Sequence, residues 1–300
     1  MLKSTFYFTL YFILLLVTAC NAQTKPDGQQ IMKDVKYLAS DELEGRNSGS
    51  EGGKKARAYV IKRFREVGLS PVKNDSYESP FSFKSYSSSE VLQGVNIIGQ
   101  IKGKTDEVIV ITAHYDHIGV KNGNIHNGAD DNASGVSGLL AIATYFKENP
   151  PQHTLIFVAF DSEENGLRGA KHFVNNFPVD QEKVKLNINM DMISRSDKNE
   201  IYAAGTYHYP HLKKVLEEVA KNSPVKLSLG HDKPELGHDD WTNSSDHGPF
   251  HEKGIPFIYF GVEDHEDYHK PTDDAEKINP QFLTNTITTI LETIKKFDQE

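Results

Sequence analysis

Cysteine is all but missing from this chain of 300 residues: there is one, Cys20. A single thiol excludes an internal disulfide framework and any thiolate-rich metal site. Excess positive charge is missing too. Lys and Arg together number 33 against 42 Asp and Glu, a formal charge of −9, which argues against a protein that grips nucleic acid by neutralising phosphates. No internal repeat and no shift in composition divides the chain, so a single domain large enough for a substantial core is expected. Small or peptidic partners suit this balance better than polyanions.

Long hydrophobic runs are also scarce. Phe6 to Val17, behind Lys3, is too short for a typical membrane span but suits the core of a secretory signal. It ends Val17-Thr18-Ala19-Cys20, which resembles the lipobox of bacterial lipoproteins. Residues 1–19 are therefore expected to be a leader, Cys20 a lipidated attachment point, residues 20–29 a polar tether and residues 30–300 one domain. The matching location is the bacterial cell envelope, with the exported protein held at a membrane by its lipid.

What the chain does have is a series of short apolar runs that finish in chemistry. Val108 to Thr112 is unbroken and β-branched, and His114 and Asp116 follow at once, as when a buried parallel strand delivers side chains at its end. Asp130 and Asp131 lie just before a small-residue helix start, and Val136 to Phe146 reads as that helix. His153 to Phe160 runs into Glu163 and Glu164. Val184 to Met190 runs into Asp191. Ile255 to Phe260 is a last strand, and the loop after it carries His265, Tyr268 and His269.

Helical spacing is expected over Ile31 to Leu38, Lys54 to Val67, Arg168 to Asn176, His211 to Lys221 and Asn279 to Phe297. Val95 to Ile101 reads as a strand beside the Val108 strand, after a Ser-rich break at Ser85 to Ser89. Residues 40–53 and the polar stretch Asp232 to Ser245 read as loops. Alternating strand and helix predicts an α/β fold: one doubly wound, mostly parallel mixed sheet with helices on both faces. In such sheets, sites gather at the carboxyl ends of the strands.

His114, Asp130, the Glu163-Glu164 pair, Asp191 and His269 form a ligand set without sulfur, suited to zinc, cobalt or manganese. A catalytic zinc takes three protein ligands, and this set is large enough for two ions if one carboxylate bridges.

The motifs AHYDH at 113–117, GADDNASG at 128–135, FDSEENGLRGA at 160–170, NMDMI at 189–193, SDHGPF at 245–250 and YHKPTDD at 268–274 together resemble the co-catalytic two-zinc aminopeptidases. The wider clan includes glutamate carboxypeptidase II, the transferrin receptor ectodomain and the glutaminyl cyclases. LASDELEGRNSGSEG at 38–52 resembles a segment seen in many members.

The resemblance implies a zinc-exopeptidase-like fold with His114 and Asp191 on one ion, Glu164 and His269 on the other, Asp130 bridging, and Glu163 as general base. It also implies a cis peptide between Asp130 and Asp131. Asp116 and Asp131 are expected to support the ligands from behind, and Tyr268 to offer its hydroxyl to the developing oxyanion. His117, His126, His247 and His251 have no spacing argument and read as structural or peripheral, His247 being set apart by its place in the SDH motif. The implied activity is removal of amino-terminal residues from peptides. The alternatives are a glutaminyl-peptide cyclotransferase on the same scaffold and a non-catalytic surface binding lipoprotein.

Overall fold

The computed structural model describes residues 25–84 and 90–300. Cys20, the leader and the Ser85 to Ser89 break lie outside the described residues. Two helices open the described chain: α1 (Gly28–Leu38), whose first amides are capped by Asp27, and α2 (Glu51–Val67), capped by Ser50 and closed by Gly68 at φ 84°. Gly68 is where the chain needs a left-handed residue to turn out of the helix. Between the two helices, Asp41–Arg46 folds into a tight helical turn where a loop was expected.

The remaining elements alternate. β1 (Ser70–Pro71), β2 (Glu78–Lys84), β3 (Val91–Ile101) and β4 (Val108–His114) precede a small hairpin of β5 (Gly119–Lys121) and β6 (Asn124–His126). Then come α3 (Gly135–Glu148), β7 (Thr154–Phe160), α4 (Arg168–Asn175), β8 (Val184–Met190), β9 (Glu200–Ala204), α5 (Lys213–Ala220) and β10 (Lys226–Leu229). α6 (Gly248–Glu252), β11 (Phe257–Gly261) and α7 (Pro280–Phe297) complete the domain.

Nine strands form one mixed sheet in the order β1, β3, β7, β4, β8, β11, β9, β10, with β2 also pairing β3. The middle four, β7, β4, β8 and β11, are mutually parallel. Antiparallel pairings of β3 with β7 and of β9 with β11 flank them. The expected place of Val95 to Ile101 is corrected here: it pairs with β7 and not with β4, because β8 occupies the other edge of β4. β10 and the β5–β6 hairpin were not anticipated. Each has only three or four residues, too few for a period to show.

Both faces of the sheet are covered, as the unbroken apolar runs require. Ile109, Ile111 and Ala113 turn to one face, against residues of α1, α2, α3, α5 and α7. Val108 and Val110 turn to the other, where Ala170 and Phe173 of α4 and Phe250 of α6 pack. With β4, β7 and β8 buried on both sides, whatever their carboxyl ends carry is held on a rigid base.

Candidate active site

The parallel strands end together, and their last residues meet. β4 delivers His114. The turn after β7 delivers Glu163 and Glu164, β8 leads into Asp191, and the loop after β11 carries His269. The loop entering α3 brings Asp131. Nε2 of His114 lies 3.3 Å from Oδ1 of Asp131 and 3.2 Å from Oδ1 of Asp191. Nε2 of His269 lies 3.2 Å from Oδ2 of Asp131 and 3.5 Å from Oε2 of Glu164.

Asp131 is thus shared by two donor groups, one oxygen facing each. One group is His114, Asp131 and Asp191; the other contains Asp131, Glu164 and also His117. The bridging position expected for Asp130 is corrected: Asp131 occupies it. Asp130 turns the other way, where its carboxylate accepts hydrogen bonds from the amide (2.8 Å) and hydroxyl (2.5 Å) of Ser194 and faces Nε2 of His265 at 3.0 Å. Consecutive side chains on extended backbone project to opposite sides, and Asp131 is extended here, at φ −103° and ψ 94°. The cis peptide likewise lies one residue later than expected, between Asp131 and Asn132. Asp273 holds this turn by accepting from the amides of both Asp130 and Asp131.

His117, read from sequence as structural or peripheral, stands inside the constellation. The AHYDH motif contained the signal in its second histidine, but only the bend after β4 shows that it folds back.

Asp116 works differently from expectation. His114 Nδ1 lies 3.1 Å from the Asp116 carbonyl and 3.8 Å from its carboxylate. The carboxylate itself accepts from the backbone amides of Glu163 (3.0 Å) and Glu164 (3.4 Å). One residue therefore contacts His114 and anchors the acidic pair.

Behind Asp191 runs a buried polar chain through the strands. Ser245 donates to Asp191 (2.7 Å), Asn189 donates to Ser245, and Thr112 donates to Asn189. Arg46 is the largest fully buried side chain. Its guanidinium donates to the carbonyls of Leu38, Tyr115, Asn127 and Gly128, tying together the loops that carry His114, His117 and Asp131. Neither feature was read from the sequence.

Tyr268 stacks on His269 with ring centroids 3.9 Å apart. Both line a cavity of about 620 Å³ with Met192, His231, Trp241, Tyr259, Asp131, Glu163, Glu164 and Asp191. Among the described residues lining it there is no Lys or Arg. The three cations nearest by sequence are engaged elsewhere: Arg195 with Asp267 at 2.7 Å, Arg168 over the Phe83 ring, and Lys270 on the Glu266 carbonyl.

The electrostatics follow from burying so many carboxylates. Burial, with Asp246, Asp191 and Glu164 nearby, holds the Glu163 carboxyl well above the usual range despite the opposing pull of His114. Burial likewise pushes Asp246 up to about 7. For His114, burial disfavours the charged form, but Asp191, Glu163 and Asp131 outweigh it and hold the imidazole well above its ordinary value. Such a cluster calls for a cation, and its spacing suits one. Donors about 2.0–2.1 Å from a tetrahedral zinc lie roughly 3.4 Å from one another, and the His–carboxylate separations above are 3.2 to 3.5 Å. Glu164 Oε1 is in addition buried without a hydrogen-bond partner among the described residues.

Comparison with known proteins identifies the family. The sequence profile of Peptidase family M28 matches residues 96–294. Aminopeptidase YwaD of Bacillus subtilis (strain 168) is 32% identical over 205 residues, covering 63% of this chain and 41% of that protein. The chain thus spans about two fifths of that relative's length. Among solved structures, the zinc aminopeptidase BSAP from Bacillus subtilis superposes with a TM-score of 0.74 at 18% identity, over 91% of this chain and 95% of the other. The glutaminyl cyclase of Bacteroides thetaiotaomicron, bound to N-acetylhistamine, superposes with 0.72 at 18% identity, over 91% and 98%. At that identity, both likenesses speak to the fold.

Proposed function

We propose that this chain, which belongs to Peptidase family M28, is a metal-dependent aminopeptidase. The observation that carries the proposal is the sharing of Asp131 between two donor groups beside the buried Glu163. His114, Asp131 and Asp191 would hold one zinc ion and Asp131, Glu164 and His269 the other, with cobalt or manganese as substitutes suited to the same donors. Bound in this way, zinc would supply a water of lowered pKa and polarise the scissile carbonyl.

The chain's own residues do the rest. Glu163, held by Asp116 through its amide, is placed to take a proton from the attacking water and return it to the leaving amine. Tyr268 closes one wall of the cavity against His269, where its hydroxyl is a candidate donor to the oxyanion. The acidic lining favours a substrate with a free α-amine. A carboxypeptidase needs a cation for the terminal carboxylate, and none of the described lining residues is one.

Peptides are the corresponding substrates. The leader and Cys20 motif support an exported, lipid-anchored protein, its tether ending where Asp27 caps α1 and the peptidase domain beginning with that helix. Among the described residues, no helix is long and apolar enough to cross a membrane.

The test compares an aminoacyl anilide, its N-acetyl counterpart and an N-terminal glutaminyl peptide, each with and without a chelator. Chelator-sensitive cleavage confined to the free-amine anilide is expected. Preference for the acetylated substrate, or cyclisation of the glutaminyl peptide without hydrolysis, would overturn the proposal.

A further inference from the structure

Glu263 has no role in the mechanism above, yet it stands on the wall of the active-site cavity. Side chains alternate along a strand, so Tyr259 and Gly261 of β11 share a face with Tyr202 of β9, which lies opposite Gly261 in the antiparallel pairing. Two residues beyond Gly261, the same alternation presents Glu263. Gly261 keeps that face open, because a Cβ there would lie 2.5 Å from the hydroxyl oxygen of Tyr259. The Tyr202 hydroxyl donates to Oε1 of Glu263 at 3.3 Å. Burial, with Glu200 and Glu263 nearby, pushes that phenol up to about 12, so it remains a donor.

The approach to Glu263 is apolar. Met192 follows Asp191 directly, and its carbonyl accepts from the amide of Val262 at 2.9 Å, which sets Val262 between Met192 and Glu263. Trp241 meets the Tyr259 and Tyr202 rings edge-on, with centroids 5.8 and 5.6 Å away, and His231 stacks on it at 3.7 Å. Met192, Val262, Tyr259 and Trp241 thus make one wall that starts at Asp191 and ends at a carboxylate. The other aliphatic lining residue, Leu167, belongs to the turn before α4. Glu263 ends this wall without a cation. Among the described residues its one ion-pair neighbour is His231, whose Nε2 lies 3.9 Å from Oε1. Nδ1 of His231 faces the Asp239 carbonyl at 3.1 Å, and a carbonyl can only accept, so the proton of the neutral ring sits on Nδ1 and Nε2 has none to offer.

We propose that Glu263 selects the first residue of the substrate, favouring a long side chain with an apolar stem and a cationic end, arginine or lysine. The inference rests on the metallopeptidase reading. The α-amine and scissile carbonyl of such a substrate stay beside Glu163 and the donor groups, while its side chain runs along Met192, Val262 and Trp241. The methylenes then cover apolar surface and the charged head reaches the carboxylate, the usual division for a long cationic side chain. A guanidinium can in addition offer a carboxylate two parallel N–H donors. Tyr202 holds that carboxylate in place.

Citrulline tests this, because it keeps the shape of arginine and lacks the charge. With the zinc-loaded protein, kcat/KM for the arginyl anilide should exceed that for the citrullinyl anilide by about tenfold or more, as expected for a hydrogen bond to a charged group. In Glu263→Gln, a change at an exposed side chain that disturbs no packing, this ratio should largely vanish, through KM more than kcat. Tyr202→Phe keeps the carboxylate but removes its donor, and should lower the ratio in part. Free arginine and citrulline, the corresponding products, report the same preference by calorimetric titration without turnover. Equal kcat/KM for the two anilides, or an arginyl preference undiminished in Glu263→Gln, would overturn the inference and leave the peptidase reading standing. Absence of any hydrolysis would overturn that reading, and the titration still decides the inference: tighter binding of arginine that depends on Glu263 supports it, and equal binding sinks it.

Discussion

Asp130 and Asp131 are consecutive, yet their carboxylates serve different partners: Asp130 is bound by Ser194 and faces His265, while Asp131 reaches His114 with one oxygen and His269 with the other. Removing one should not resemble removing the other. Asp131→Ala is expected to abolish stoichiometric zinc binding, because both donor groups lose their shared member. Asp130→Ala should retain metal with affinity weakened about 10–100-fold, as for loss of a supporting contact. Elemental analysis after gel filtration decides between them. Equal metal loss in both variants would remove the distinction.

Glu163 and Glu164 are also neighbours with divergent tasks. Glu163→Gln is expected to keep its metal and lose turnover by roughly 10²–10⁴-fold, the usual worth of a positioned acid–base group. Glu164→Ala should instead weaken one ion. Metal content and kcat measured on the same preparations test this, and full metal retention in Glu164→Ala would speak against it.

His247 makes stability depend on pH. Its Nε2 donates to the Trp241 carbonyl at 2.8 Å, and burial lowers its pKa from 6.5 to about 3. The unfolded chain therefore binds a proton below pH 6.5 that the folded chain refuses. The stabilisation is complete above 6.5 and is lost as pH falls towards 3, with about 2 kcal/mol gone by pH 5. His247→Gln should flatten this part of the profile, measured by urea unfolding from pH 8 to 5. An unchanged slope would show that His247 is not the group responsible.

Arg46 holds four carbonyls from three parts of the chain: the end of α1, the bend after β4 and the turn before α3. Arg46→Ala leaves them buried without their donor and is expected to cost roughly 3 kcal/mol or more. Arg46→Lys should recover little of this, since an ammonium cannot reproduce the planar fork. A shift in urea midpoint worth less than about 1 kcal/mol in Arg46→Ala would contradict the role given to it.

Cys20 is expected to carry the lipid. Cys20→Ser should move the protein to the soluble fraction with activity on small substrates intact, because the described domain begins downstream. Retention of the variant in membranes after alkaline washing would require a different anchor.

Much of this protein can be read from its sequence. The buried runs of β4 and β7 are almost continuous because parallel strands are covered on both faces, β8 is broken only by exposed Lys185, and the residues that meet the site stand at or just after the strand ends: His114, Glu163 with Glu164, and Asp191. Spacing along a chain reports such features directly. It does not report which of two adjacent carboxylates faces inward, since that depends on the turn at 129–132 and on Asp273, which lies far along the chain. Nor does it show that His117 folds back towards Glu164, that Arg46 is buried against four carbonyls, or that β3 pairs with β7 and not with β4. Those outcomes depend on which distant surfaces compete for the same space and the same hydrogen bonds. Local pattern determined the strands and most of the side chains at their ends; only tertiary packing decided the direction in which each side chain points.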